Sequence, residues 1–364
     1  MKVNVRKGLD INLEGASLNS ISDATPPKVV ALKPSDFPNL MPKMMVKEGD
    51  DVKCGSVVFC DKYNDEIKFV SPVSGKVKEI VRGAKRKILA VTIYSDGKMA
   101  QLQSSPKDLS KFDVSEIKSE LMSSGLWPLL RMRPIDIVAN PKDTPKSIFI
   151  SSFDTHPLSP DYSYLMKGKS AEFNAGLEVL NKLTDGDVHL QVRSTTEEVF
   201  SKASNVKLNT VVGPHPAGNI GVQIHNIDTL NKGEVIWYIN PQDVMIIGRY
   251  TLTGAYDASK VIAVGGSNIS TRQYFKTISG ASIDSIVKSS DVEPNSRIIS
   301  GNPLTGDHIN IDGYLGFYHH QIAILPEGNI HKFFLTDGWL SAGFNKLSAC
   351  LLYTSPSPRD RFLS

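Results

Sequence analysis

The sequence predicts a multidomain protein of α/β plus β class, and three observations carry that prediction. Between residues 147 and 250, apolar strand-like runs alternate with a helical pattern, as in a doubly wound parallel unit. Between residues 41 and 100, short stretches of period-two alternation are separated by Gly-Asp and Ser-Gly turns, which suits an all-β unit. From 258 to 328, short strands surround one helix in the proportions of a small β-grasp unit. A chain of 364 residues is long enough for roughly two or three such cores.

Charge and cysteine content remove several function classes. Lys and Arg total 41 against 38 Asp and Glu, and a net charge of +3 is too mild to indicate a nucleic-acid partner. The one basic cluster, Arg82 to Lys87, runs straight into the strand-like Ile88 to Tyr94 and reads as a solvated hairpin flank. Cys54, Cys60 and Cys350 form no C-x-x-C pair, which excludes a cysteine-held iron–sulfur cluster or zinc ribbon within these residues and argues against a disulfide scaffold. The start, Met1-Lys-Val-Asn4, is no signal peptide, so a reducing cytoplasm is expected. No apolar run approaches the roughly 20 residues that cross a bilayer. The longest, Ile236 to Ile247, is broken by Asn240, Pro241, Gln242 and Asp243, so no direct membrane span is expected and any membrane connection comes through a partner.

In chain order, residues 1–40 alternate apolar and polar positions (Val3, Val5, then Leu9, Ile11, Leu13) before a loop closed by Pro26-Pro27 and the strand-like Val29 to Leu32. They read as N-terminal strands and loop, an edge segment on a larger body. In 41–100, Gly49-Asp-Asp-Val52 with Gly55 and Ser71-Pro-Val-Ser-Gly-Lys-Val77 resemble the barrel-sandwich fold of biotinyl and lipoyl domains. In carriers of that fold a modifiable lysine tops the hairpin between these motifs. Here the hairpin is short, the Met-Lys-Met flank is missing, and Lys62 reads as an ordinary exposed lysine.

Residues 101–257 form the expected Rossmann-like unit. Asp113 and Glu116 have capping-box spacing, Ile117 and Leu121 follow at helical steps, and Gly125 ends the helix. Next, Trp127, Leu129 and Leu130 interleave with Arg131 and Arg133. Either these residues pack on the core with arginines at the rim, or they form an apolar slot with cationic edges for a ring bearing carbonyl oxygens. The run Ser147 to Ser152 is a buried-strand pattern ending at Asp154-Thr-His156, and Ala171 to Leu183 is helical through Phe173, Leu177, Leu180 and Leu183. Val188 to Val192 and Val206 to Val212 are further strands.

The stretch Gly213 to Asp228 anchors the reading of the site. Pro214 and Pro216 stiffen a turn at a strand end, while Gly213, Gly218 and Gly221 permit positive φ and close approach of a ligand. The spacing is neither G-x-G-x-x-G nor the P-loop pattern, whose lysine position holds Asn219, so ordinary phosphate cradling is not expected. In parallel sheets ligands sit at strand C-terminal ends. Asp154, His156 and the Gly213 to Gly218 loop therefore share one expected crevice. An alternative, a metal-dependent hydrolase using His215, His225 and Asp228, offers three N/O ligands of the kind zinc takes. It lacks H-E-x-x-H and a placed base, so no metal is assigned.

In 258–330, Val261 to Gly266 reads as strand and turn, Ala281 to Val287 as a short helix, and Ser296 to Pro303 as strand into turn. His319-His320 reads as a strand pair with one ring buried and one exposed. Residues 331–349 begin a C-terminal region expected to be cut short, and 350–364, without periodicity, read as a non-native tail from read-through.

Taken in this order, Gly213-Pro-His-Pro-Ala-Gly218, Ile236 to Val244 with Ile247-Gly248, Arg297-Ile-Ile-Ser-Gly301 and Gly125-Leu-Trp127 to Pro134 resemble NqrA, one of the subunits of the bacterial Na⁺-translocating NADH:quinone reductase, as do Glu48 to Val52 and Ser71 to Gly75. The likeness runs from Met1 to about Ser348. It implies a β-grasp domain of the soluble ligand-binding type after the Rossmann-like one, and similarity in fold to RnfC and the flavin subunit of complex I. It also implies a peripheral subunit on the cytoplasmic face of the bacterial inner membrane, in a complex coupling NADH oxidation and quinone reduction to Na⁺ export. The resemblance further implies that this chain binds no cofactor of its own, so that NADH, flavins, Fe–S and Na⁺ would be handled by partner subunits and hydride and electron chemistry would belong to their cofactors. What remains for this chain is quinone contact, with His156 or His215 donating to a carbonyl, or docking of its neighbours. A standalone ligand-binding module stays open as the other class, and ubiquinone and menaquinone are not told apart.

Overall fold

The most apolar runs of the chain become the middle of a seven-stranded sheet. In the computed structural model, which describes residues 1–102, 105–193 and 198–329, Ile148–Ser151 is central. Its parallel neighbours are Val188–Val192 and Ile236–Tyr238. Val188–Val192 is buried along its whole length, as a strand covered on both faces must be. Lys207–Val212 continues the parallel run, and Lys2–Asn4 joins its edge. On the other side Arg131–Arg133 and Ile137–Val138 extend the sheet antiparallel. From the central strand the chain winds outward through Val188–Val192 and Lys207–Val212, then crosses back to Ile236–Tyr238 on the opposite side. That reversal leaves a crevice at the C-terminal ends of the two strands that part there.

The helices follow their end signals. Asp113 accepts from Glu116 N and the Glu116 carboxylate accepts from Asp113 N, closing the capping box of Val114–Ser123, and Gly125 takes φ 76 just past its end. Ser170–Lys182 buries Phe173, Leu177 and Leu180. One long helix escaped the sequence reading. Asn240-Pro241, taken only as a break in an apolar run, is the N-cap and first residue of Pro241–Thr253; the Asn240 side chain accepts from Gln242 N, and Gly254 closes the helix at φ 70.

The barrel-sandwich reading holds. Val29–Leu32, Ile88–Ser95, Gly75–Arg82 and Asp51–Val52 make a four-stranded sheet, and Pro42–Met44, Val57–Asp61 and Lys68–Val70 a three-stranded one. Val30, Val77, Val91 and Ile93 of the first share one core with Val58, Phe59 and Phe69 of the second. Lys62 is exposed in the turn after Val57–Asp61.

The third part of the molecule is built on a six-stranded sheet, called the third sheet below, that runs Asp307–Ile309, Ser296–Ser300, Gln321–Pro326, Ser259–Gly265, Gln273–Ile278, Leu18–Asp23, over a core that includes Ile262, Val264, Ile283, Leu315 and Ile324. The N-terminal segment thus supplies an edge strand to each of three sheets, Lys2–Asn4, Leu18–Asp23 and Val29–Leu32, as an edge segment should. Two expectations fail here. Ala281 to Val287 is no helix beyond the single 3₁₀ turn Ile283–Ser285, because Ile283, Ile286 and Val287 are all drawn into the β core. His319 and His320 precede the strand Gln321–Pro326 rather than lying in it, and neither ring is exposed. All of this except Pro326 belongs to the unit Met1–Leu325. Of the second unit, Pro326–Ser364, only residues 326–329 are described, so the expectations for 331–349 and 350–364, and Cys350, lie outside the described residues.

Candidate functional site

The switch-point crevice opens into a cleft of about 580 Å³. The α/β sheet supplies Ser151, Phe153, Asp154 and His156 after its central strand, and Tyr238, Ile239 and Asn240 after the neighbouring one. The third sheet supplies the facing wall through Gly301, Asn302, Tyr318, His319 and His320. Arg131 and Arg133 close one end.

That end is a cation–aromatic corner. Alternation along Arg131–Arg133 buries Met132 and sends both arginines to the opposite face. The Arg131 guanidinium lies 4.5 Å from the Tyr318 ring centroid and 5.3 Å from that of Tyr238, with Arg133 5.4 Å from Tyr238. Asp136, at φ 64, pairs with Arg131 at 2.8 Å and Arg133 at 3.7 Å, and its carboxylate accepts from the Tyr238 hydroxyl. Burial pushes the Tyr238 hydroxyl well above the ordinary phenol range, so it stays protonated. Both arginine Nε atoms are buried with no partner among the described residues.

The other end is built by two loops. Asp154 Oδ1 accepts from His156 N at 2.9 Å and lies 2.5 Å from His156 Nδ1, which fixes the ring. His156 and His215 rings are 4.8 Å apart. Thr155 Oγ1 accepts from Gly218 N at 2.9 Å and lies 3.1 Å from His215 Nδ1, joining the loops as expected from their place at strand ends. Burial, and then the neighbouring His156, lower the His215 pKa and keep its imidazole neutral. The glycine at 218 is required by this approach, since a Cβ there would stand 2.5 Å from Thr155 N. At Gly213, φ 142, it would meet Val5 O at 2.2 Å. Pro214 O accepts from Ala217 N at 2.8 Å to close the turn.

Several expected site residues lie elsewhere. Trp127, Leu129 and Leu130 belong to the core; Trp127 donates Nε1–H to Ala139 O at 2.7 Å and meets Trp237 edge-on. The apolar slot is therefore sealed, and only the two arginines of that segment reach the cleft. Gly221 stands in the first turn of the helix Ile220–Ile227, not in a loop. The alternative metal triad does not assemble. Asp228, past the helix end, accepts from Ser147 Oγ at 2.7 Å and pairs with Lys146 at 2.8 Å, while His225 is exposed in the last turn and His215 precedes the first. Among the described residues no three His, Cys, Asp or Glu side chains gather as a metal requires. Sequence reasoning missed Asp136, Tyr238, Tyr318 and the two neighbouring histidines as cleft residues. Tyr238 alone had a signal, its place at a strand end just before a helix cap.

Fold and cleft define a three-part protein in which a Rossmann-like unit and a β unit enclose a ligand-sized space. Family profiles match each part: the NqrA N-terminal barrel-sandwich hybrid domain over residues 3–96, the NqrA second alpha/beta domain over 112–256 and the NQRA C-terminal domain over 261–310. Relatives named as the A-type component of Na⁺-translocating NADH-quinone reductase align over 349 residues, which is 95% of this chain and 77% of each of them. Identity is 38% to that of Vibrio vulnificus, 34% to that of Neisseria meningitidis serogroup B and 33% to that of Yersinia pseudotuberculosis. The chain belongs to the NqrA family of Na⁺-translocating NADH-quinone reductase subunits.

Proposed function

We propose that this chain works as a peripheral, cytoplasmic-face subunit of a Na⁺-translocating NADH:quinone reductase and that its switch-point cleft receives the quinone ring. The observation that carries the quinone reading is the cleft itself. Its volume of about 580 Å³ lies within the range of small-molecule sites, and it joins aromatic walls to a few fixed donors. Tyr238 and Tyr318 flank the space with ring faces backed by Arg131, whose guanidinium suits a carbonyl oxygen gaining negative charge. His156 donates its Nδ1–H to Asp154, which leaves Nε2 at that end as an acceptor for a hydroxyl of the reduced ring; His215 is turned to Thr155 instead. Each neutral hydrogen bond contributes only about 0.5–1.5 kcal/mol, so apolar contact with Phe153, Ile239 and the tyrosines supplies most of the affinity.

The electrons come from partner subunits. Cys54, Cys60 and Cys350 form no C-x-x-C pair of the kind that cysteine-held clusters commonly use, which supports this reading. We place the chain's attachment to the membrane on partner subunits as well; no helix among the described residues is long and apolar enough to cross one. The test is photolabelling of the intact complex with an azido-benzoquinone, followed by peptide mapping. Labels on the peptides holding Arg131, Tyr238 and Tyr318 are expected. Labels confined to other subunits would reduce this chain to a docking scaffold.

A further inference from the structure

Two adjacent histidines stand in the wall that the third sheet turns toward the cleft, and their surroundings give them opposite roles. His320 is 7% exposed; its Nδ1 lies 3.3 Å from Gln242 Nε2, and its Nε2 is buried without a partner, 3.9 Å from Asp243. Neither nitrogen of that ring is offered to a ligand.

His319 is held differently. Ser300 Oγ, fully buried, accepts from Gly316 N at 2.9 Å and lies 2.8 Å from His319 Nδ1. The Gly316 N–H can only donate, and among the described residues the buried serine proton has no acceptor other than Nδ1, so the hydroxyl donates there. That assigns the tautomer: Nδ1 accepts and Nε2 carries the hydrogen. The ring is also clamped between two glycines. A Cβ on Gly316 would stand 2.3 Å from Nδ1, and one on Gly301 would stand 3.0 Å from Cδ2 and 3.1 Å from Nε2. A side chain at Gly316 would displace the imidazole, while one at Gly301, φ 96, would press it aside by a few tenths of an ångström; Gly301 itself lines the cleft beside the ring. Burial, with Lys33, Lys260 and Arg131 adding to it against Asp307, pushes the imidazolium down to about 4. The ring is neutral, with the same hydrogen-bonding pattern, throughout the physiological range.

We propose that His319 is the fixed hydrogen-bond donor of the cleft, presenting Nε2–H to a carbonyl oxygen of the bound ring from the wall opposite the Asp154–His156 pair. This rests on the quinone reading above and names the residue that would orient the ring. It is a positioning role and involves no proton transfer.

The test measures the half-saturating concentration of the azido-benzoquinone on the intact complex, read on cleft peptides, for wild type and three variants. His319→Leu is expected to raise it by about three- to tenfold, the worth of one neutral hydrogen bond. His319→Gln, which can place an amide N–H near the same point, is expected to restore most of the affinity. Ser300→Ala frees the ring to carry its proton on either nitrogen and is expected to raise the value by about twofold. Co-purification with the partner subunits and an unchanged melting temperature show that a variant is folded. Should His319→Leu not assemble, the Ser300→Ala and His319→Gln pair decides, and a wild-type value for Ser300→Ala overturns the assignment. A wild-type value for an assembled His319→Leu overturns it too, while leaving the quinone reading intact. An absence of cleft labels in wild type overturns the quinone reading and the donor role together.

Discussion

Asp243 lies in the first turn of Pro241–Thr253, is 3% exposed and has an Oδ1 without a partner among the described residues. Burial raises its pKa from 3.8 to about 6, with Lys260, Arg131 and Arg249 pulling the other way. The folded state therefore holds the proton more tightly than the unfolded chain. The stability this lends is present below the ordinary value of 3.8 and lost as pH rises through about 6. A shift of that size corresponds to about 3 kcal/mol. Asp243→Asn, which cannot ionise, is expected to raise the urea midpoint relative to wild type at about pH 8 and to leave it little changed at about pH 4. An equal difference at both pH values would show that the carboxyl is not held protonated by its surroundings. The cleft's own residues follow similar physics: Tyr238 and His319 are kept neutral by burial, so neither adds charge beside the Arg131–Asp136 ion pair.

At the scale of elements, the crossing of Ser170–Lys182 with Pro241–Thr253 is set by two glycines. A Cβ on Gly176 would stand 2.2 Å from Val244 O, and one on Gly248 would stand 1.8 Å from Glu172 O. The two helix backbones are in direct contact, and Arg249 adds an ion pair to Glu172 at 3.7 Å. In an exposed helix interior, glycine to alanine gains about 1 kcal/mol. Here the sign reverses, because overpacking costs about 1–3 kcal/mol and backbone cannot swing aside as a side chain can. Gly248→Ala and Gly176→Ala are each expected to lower the urea midpoint; an unchanged or higher midpoint would mean that the helices do not meet this closely. The apolar face of the first helix was legible from Phe173, Leu177 and Leu180 at three- and four-residue steps. Its partner was not. Val244, Met245, Ile246 and Ile247 are consecutive and all buried, so the helix is apolar around its circumference there and shows no period.

For the molecule as a whole, the parts that contain the cleft are sewn together by their own hydrogen bonds. The Tyr318 hydroxyl donates to Pro128 O at 2.7 Å and Phe317 N to Asp36 at 2.8 Å, joining the third sheet to both other parts. The Gln242 amide pairs with Val261 N and O at 2.9 and 2.8 Å. Asp161 N donates to the Tyr274 hydroxyl at 3.1 Å. One apolar core runs from Val30 in the barrel-sandwich through Trp127 to Tyr274 in the third sheet. Parts that share a core unfold together. Calorimetry of the purified chain is expected to give one main transition; well-resolved separate peaks for the three parts would contradict this coupling. The same coupling holds the two walls of the cleft in register, which a hinge between loosely joined domains would not do.

Class, order of the parts and one end of the cleft were all legible along the chain. Period-two runs, capping residues and prolines act over a few neighbours, so Asp113 with Glu116, and the strand end before Asp154-Thr155-His156, could be read where they stand. Family motifs such as Gly213-Pro-His-Pro-Ala-Gly218 added the rest of that reading. Which side of each segment faces the cleft was settled only by folding in three dimensions. Trp127 and Arg131 are four residues apart in one mixed run, yet the first seals a core and the second lines the site. His319 became a donor through Ser300, Gly301 and Gly316, contacts fixed by strand pairing and packing over distances at which a linear sequence carries no signal.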